Sequence, residues 1–169
     1  MDALDILRDL VSRPRDAAER LRRRLNPVSL NARPGGHDNS VAWLLWHSGR
    51  EIDVQLAALT GQEQLWTAQG YAARFDLGPE GDSVGYGHTP EQARRILVED
   101  ADLLLGYLDA AFGAVDDYLS RLTADELDDV VDEQWDPPVT RGARLVSLVD
   151  DAVQHVAQAA FSLGMPERD

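Results

Sequence analysis

The sequence predicts an all-α protein, a four-helix bundle with long connecting loops. Three observations carry that expectation. Apolar residues recur at helical spacing through four long stretches. No stretch of useful length alternates apolar with polar residues as a half-buried strand would. Four amphipathic stripes find a natural common burial in a bundle. The chain has 169 residues, 44% hydrophobic and 27% charged, which suits one globular domain spanning 1–169.

The first helix is expected over residues 3–25, with Leu4, Leu7, Val11, Ala18, Leu21 and Leu25 inward. Pro14 either kinks it or starts a second helix capped by Ser12. Residues 26–39, with two prolines and two glycines, read as a loop in which His37 is solvated. Ser40 or Asn39 then caps a second helix through VAWLLWHSGREIDVQLAAL, with Val41, Leu44, Leu45, Ser48, Ile52, Leu56 and Leu59 on one stripe. Residues 60–88 are irregular, aromatic and glycine-rich, and are expected to fold over the helix ends. They lack the spacing and strand context of a phosphate loop. His88, at their end, either faces a pocket or has a structural or solvated role.

Thr89, Pro90 and Gln92 form a helix start with a capping box. The third helix should run from there to about Arg121, with Ile96, Leu97, Leu103, Leu104, Tyr107, Leu108, Ala111, Phe112, Val115 and Leu119 inward. Thr123 and Glu126 open a short helical turn that Asp136-Pro137-Pro138 ends. Thr140 can cap the last helix. Its stripe is Leu145, Leu148, Val149, Ala152, Val156, Ala159 and Leu163, and Gly164-Met165-Pro166 stops it.

Composition narrows the function. The formal charge of −14 repels nucleic-acid phosphates and anionic lipid. The basic run at Arg20, Arg22, Arg23 and Arg24 reads as a solvated helix face. Cysteine is absent, which removes disulfides, thiolate metal sites and a protein-borne thiol nucleophile. All 16 basic residues are arginine, a bias that points to a GC-rich coding genome. No segment approaches a membrane span, and the acidic, amphipathic N-terminus is unlike a signal peptide. A cytoplasmic location is expected.

Two helices each carry a polar pair at the margin of their apolar stripe. His47 and Glu51 stand four residues apart on the second, Asp151 and His155 on the last. Such a pair can simply hydrogen-bond, or it can share a cation. If the second and last helices are neighbours, His47, Asp151 and His155 can converge. Three N/O ligands with open positions is the pattern of a catalytic-type metal site. Trp43 and Trp46 flank His47, either as packing or as the wall of a small pocket.

The stretches NSVAWLLWHSGRE and LVDDAVQHVAQAAFSLGM resemble the two signature helices of the DinB-like/YfiT-like metalloenzyme superfamily. That group includes thiol-dependent S-transferases and the N-terminal domain of mycothiol-dependent maleylpyruvate isomerase. The resemblance covers nearly the whole chain, including LNARPGG and WDPPVTRGARLVSLV. It implies a four-helix bundle holding a divalent metal on a histidine of the second helix and a pair of ligands spaced like H-x3-H on the last. Carried over, the ligands are His47, Asp151 and His155, with Asp151 where the family more often has histidine. Gln158 stands in a place the family often fills with glutamine. The implied metal is zinc or nickel, with manganese and iron(II) also compatible. The implied chemistry is S-transfer from a metal-activated thiol, mycothiol or another low-molecular-weight thiol, to a small-molecule electrophile. Glu51 is the candidate for proton transfer or for orienting a ligand. A hydrolase or isomerase on the same triad, and a non-catalytic module that binds a small molecule or partner, are the alternatives. The Ala- and Leu-rich faces permit a homodimer.

Overall fold

The computed structural model describes residues 1–165. Four long helices form the bundle: α1 (Ala3–Leu21), α3 (Val41–Thr60), α8 (Ala101–Leu119) and α9 (Arg141–Gly164). Each of α1 and α3 packs against both α8 and α9, so α1 and α3 lie on one diagonal and α8 and α9 on the other. Side chains from all four meet in one core that includes Val11, Trp46, Ile52, Phe112, Val115, Leu148 and Val156. Apart from Leu97, the stripes expected from spacing are the buried faces, with Leu4, Leu25, Leu59, Leu103 and Leu163 half-buried. No helix is long and apolar enough to cross a membrane among the described residues.

Capping explains where the helices begin. Ser40 Oγ accepts the Trp43 N–H, Asp100 Oδ1 accepts the Leu103 N–H and Thr140 Oγ1 accepts the Ala143 N–H. At α1 the cap is Asp2, paired reciprocally with Asp5. Helix α1 runs through Pro14, and Ser12 is no cap there: its hydroxyl donates to the Asp9 carbonyl. Pro166 lies outside the described residues.

The structure departs from the sequence expectation in three connections. Residues 26–39 hold a short helix, α2 (Pro27–Asn31), started by a capping box between Asn26 and Ser29. The expected long third helix is two. Helix α7 (Pro90–Arg95) ends at Arg95, and five residues pass before α8 begins. The cause is long-range. Asn31 donates to the Val98 carbonyl at 2.8 Å and accepts the Val98 N–H at 3.1 Å, as a neighbouring strand would. Ile96 and Val98 then face inward, while Leu97, expected inside, is exposed. Finally, the segment after Thr123 continues into a small hairpin, β1 (Val130–Asp132) with β2 (Val139–Thr140), antiparallel.

Residues 61–88 are ordered by a buried ion pair that a helical wheel does not advertise. They contain α4 (Leu65–Ala68), α5 (Tyr71–Phe75) and α6 (Gly78–Gly81). Asp53 of α3 accepts the N–H groups of Leu65 and Trp66, at 2.7 and 2.8 Å, and so caps α4 from a distance. It also accepts the Tyr107 hydroxyl at 2.9 Å. Arg50, one turn earlier, donates to the carbonyls of Ser83 and Asp82 and to Gln64 Oε1. Its guanidinium lies 4.7 Å from the Trp66 ring centroid. The loop is thus tied at both ends to one face of α3.

Candidate metal centre

Helix α3 delivers His47 toward α9, which delivers Asp151 and His155. Their spacing of four places the last two one above the other. His47 is buried, not marginal, with its ring stacked on Trp43 at 4.6 Å between centroids. His155 stands edge-on to His47, with centroids 4.7 Å apart. The side chain of Asp151 is 34% exposed, so the group opens toward solvent on the α9 side.

Hydrogen bonds fix which nitrogen of each imidazole is free. His47 Nδ1 meets the Val84 carbonyl, and His155 Nδ1 meets Gln158 Oε1 at 2.9 Å. A carbonyl oxygen only accepts, so each Nδ1 must carry the hydrogen and donate it. Each Nε2 is left with its lone pair. These are the outer contacts that orient metal-binding histidines and strengthen them as donors.

Both lone pairs face the same carboxylate. His47 Nε2 lies 3.8 Å from Asp151 Oδ2, and His155 Nε2 lies 3.4 Å from Asp151 Oδ1. Asp151 Oδ2 is buried and has no hydrogen-bond partner among the described residues. One ligand atom from each residue falls within 4.8 Å of the others. Three electron-pair donors turned on one another repel unless something positive lies between them. A tetrahedral shell with bonds near 2.1 Å sets ligand atoms roughly 3.4 Å apart, and the separation of each Nε2 from its nearer oxygen of Asp151 is close to that value. The three residues could therefore hold a divalent cation.

Their proton affinities diverge. Burial pushes the His47 pKa down, against the opposing pull of the Val84 carbonyl. Burial also lowers His155, but the bonds that its protonated ring would make to Asp151 and Gln158 outweigh it and leave the pKa raised.

Other residues singled out in the sequence fall elsewhere. Glu51 is half-buried one turn beyond His47, outside the group of three, with Oε2 accepting from Gln55 at 3.1 Å. His37 is exposed, and its Nδ1 accepts the Asn39 N–H. His88 is structural. Trp43 Nε1 can only donate, so His88 Nδ1 accepts from it at 3.3 Å and Nε2–H donates to Ser83 Oγ at 2.8 Å. Neither nitrogen has a lone pair to spare. His88 instead pins the loop to Trp43.

Acidification should loosen this pin. Burial lowers the His88 pKa, and His47 adds to the effect against Glu80. With a depressed folded-state value, the unfolded chain takes up this proton first as pH falls. The His88 contribution is whole above the ordinary imidazole value of ~6.5 and is lost as pH falls through the folded-state value. The gap in melting temperature between the parent and His88→Gln should accordingly narrow from pH 8 to pH 5. A gap independent of pH would rule the pin out.

The sequence did not disclose the carbonyl of Val84 or the role of Gly85. Gly85 has φ +90°, and a Cβ there would meet Trp46 at 2.9 Å, Trp43 at 3.0 Å and His47 Nδ1 at 3.2 Å. Only glycine brings the chain close enough to His47 in this conformation. The GYG spacing in the loop was the available signal. We expect Gly85→Ala to keep the helical fold but to weaken divalent-metal binding by about 10–100-fold, as measured by competition with a chromophoric chelator.

Comparison with known proteins agrees with this architecture. The family model described as the DinB superfamily matches residues 11–159. The chain is similar to a crystal structure of a conserved protein from Enterococcus faecalis, at 34% identity over 96% of each chain and a TM-score of 0.89. None of the curated proteins matches it.

Proposed function

The chain belongs to the DinB superfamily, and on that premise we propose that it is a divalent-metal-dependent thiol S-transferase with His47, Asp151 and His155 as ligands. The observation that carries the reading is the unpartnered, buried Oδ2 of Asp151, on a carboxylate that both imidazoles face with their Nδ1–H groups already engaged. The donor set contains nitrogen and oxygen and no sulfur, which admits zinc, nickel, manganese or iron(II), and we take zinc or nickel as the ion.

A bound divalent cation supplies Lewis acidity, which keeps a coordinated thiol deprotonated at neutral pH. The chain has no cysteine, so the thiol comes from outside, as mycothiol or another low-molecular-weight thiol. Val84 and Gln158 hold the two imidazoles in the tautomer that leaves Nε2 free. Trp43 shields one face of His47 from water. Glu51 raises the proton affinity of both histidines through its charge, and we assign it the thiol proton. The net reaction forms a sulfur–carbon bond as the electrophilic carbon loses its leaving group. With an activated alkene, the proton passes to carbon instead.

The test is a cobalt(II)-substituted protein titrated with mycothiol, glutathione and cysteine. A new sulfur-to-cobalt absorption band with one of them, and thioether formation when an electrophile is added, is the expected result. Turnover of esters or amides with metal but no thiol would replace this reading with a hydrolase. Absence of both band and turnover would leave a binding module.

A further inference from the structure

A cavity of about 340 Å³ lies one turn along α9 from His155. Its apolar walls include Pro34, Leu44 and Phe161, and its polar ones His37, Asn39 and Gln158. Gln158 belongs to both places: its Oε1 holds the His155 imidazole and its side chain lines the cavity. Leu44 likewise precedes His47 by one turn on α3. The cavity and the candidate metal centre thus share the same two helices and one side chain.

Two polar groups of the lining, on His37 and Gln158, are donors left over. His37 accepts the Asn39 N–H at Nδ1, so its hydrogen is on Nε2. Gln158 uses its oxygen on His155, which leaves its NH2 group. The Asn39 side chain makes no hydrogen bond among the described residues and offers its NH2 as well as its oxygen. An acceptor is what the His37 and Gln158 donors lack. No arginine lines the cavity among the described residues, and the chain carries a formal charge of −14. A carboxylate entering here would be desolvated with no fixed counter-charge, which is costly. A neutral carbonyl oxygen accepts the same hydrogen bonds without that cost.

We infer that this cavity binds a neutral carbonyl compound with an apolar, ring-sized body, and that this is the chemical class of the electrophile. The assignment as electrophile rests on the metal-dependent reading above; the binding site itself does not. Small pockets that are mostly apolar, with a few convergent polar groups, are the usual form of a substrate site.

The experiment uses the full chain loaded with zinc and three probes of one shape: 2-acetylnaphthalene, 2-naphthoate and 2-ethylnaphthalene. Binding is followed by 1H–15N shifts of the Asn39 and Gln158 side-chain amides. The ketone should bind about tenfold more tightly than the other two, since only it satisfies the donors without a charge. Phe161→Ala, at a residue 71% exposed and so safe for folding, should weaken the ketone and leave zinc content unchanged. Ser162→Trp, which fills the cavity, should do the same. Equal affinity for all three probes, or a response of other residues only, would overturn the inference. A protein that takes up no zinc but still binds the ketone at these amides would sink the metal reading and keep the cavity. A zinc-loaded protein indifferent to the ketone would do the reverse.

Discussion

Replacing His47 and His155 together with alanine should strip the purified protein of its metal. The parent, prepared without an affinity tag, should carry about one equivalent of a divalent transition ion by mass spectrometry, as one three-ligand site requires. The argument is geometric. One ligand atom each from His47, Asp151 and His155 lies within 4.8 Å of the others, and no donor among the described residues satisfies the buried Oδ2 of Asp151. Each single variant removes one of three ligands, so affinity should drop by more than the roughly 100-fold that losing an outer contact can cost. Asp151→Ala tests the carboxylate separately, and Asp151→His, with the donor commoner in the family, should retain binding. Because the ligating histidines must be neutral, affinity should fall on acidification, starting at His155, whose pKa is raised. Without metal in the parent, even after reconstitution at neutral pH, the transferase and hydrolase readings fail together. Helical content by circular dichroism should match the parent in every variant, since only His47 of the three is buried and its packing partner Trp43 remains.

The candidate site was legible in the sequence because its candidate residues obey local rules. A spacing of four on a helix fixes relative position whatever the rest of the chain does, so Asp151 and His155 could be paired from sequence alone. Placing His47 beside them needed only the further step that α3 and α9 are neighbours, which they are. What stayed hidden depends on distant partners. The break at Ile96–Asp100 is imposed by Asn31, more than sixty residues earlier in the chain, while the local sequence reads as continuous helix. The Val84 contact is made by a backbone carbonyl, which every residue has. Arg50 and Asp53 were passed over because charged residues are rarely buried unless paired, and their partners lie in a loop whose course periodicity does not predict. His47, placed at the margin by the helical wheel, is buried because that same loop closes over it.

That buried pair should be the most sensitive structural point in the molecule. Asp53→Ala is expected to destabilise the fold by about 3–5 kcal/mol, the cost of breaking a buried ion pair from one side. For a chain of this length that is roughly 10 °C or more in melting temperature. Asp53 is 3% exposed and Arg50 is 2%, so neither charge can turn to water when its partner is lost. The two sides are unequal. Removing Asp53 strands three donors at once, the N–H groups of Leu65 and Trp66 and the hydroxyl of Tyr107, and it leaves the guanidinium unneutralised. Removing Arg50 with Arg50→Met strands acceptors at Ser83, Asp82 and Gln64, and an under-satisfied carbonyl is better tolerated than an orphaned N–H. Asp53 would keep its three donors. Arg50→Met should therefore cost less than Asp53→Ala, and the double variant less than the sum of the two. The loss should also reach the metal centre. Arg50 holds Ser83, and the next residue, Val84, orients His47. Metal affinity should then fall in Arg50→Met even at temperatures where the variant is fully folded. An Asp53→Ala protein that melts within about 2 °C of the parent, no more than the shift that about 1 kcal/mol produces in a chain of this size, would show that the pair only decorates the loop. The course of residues 61–88 would then be held by the packing of Trp66, Tyr71 and Phe75 against Tyr107 instead.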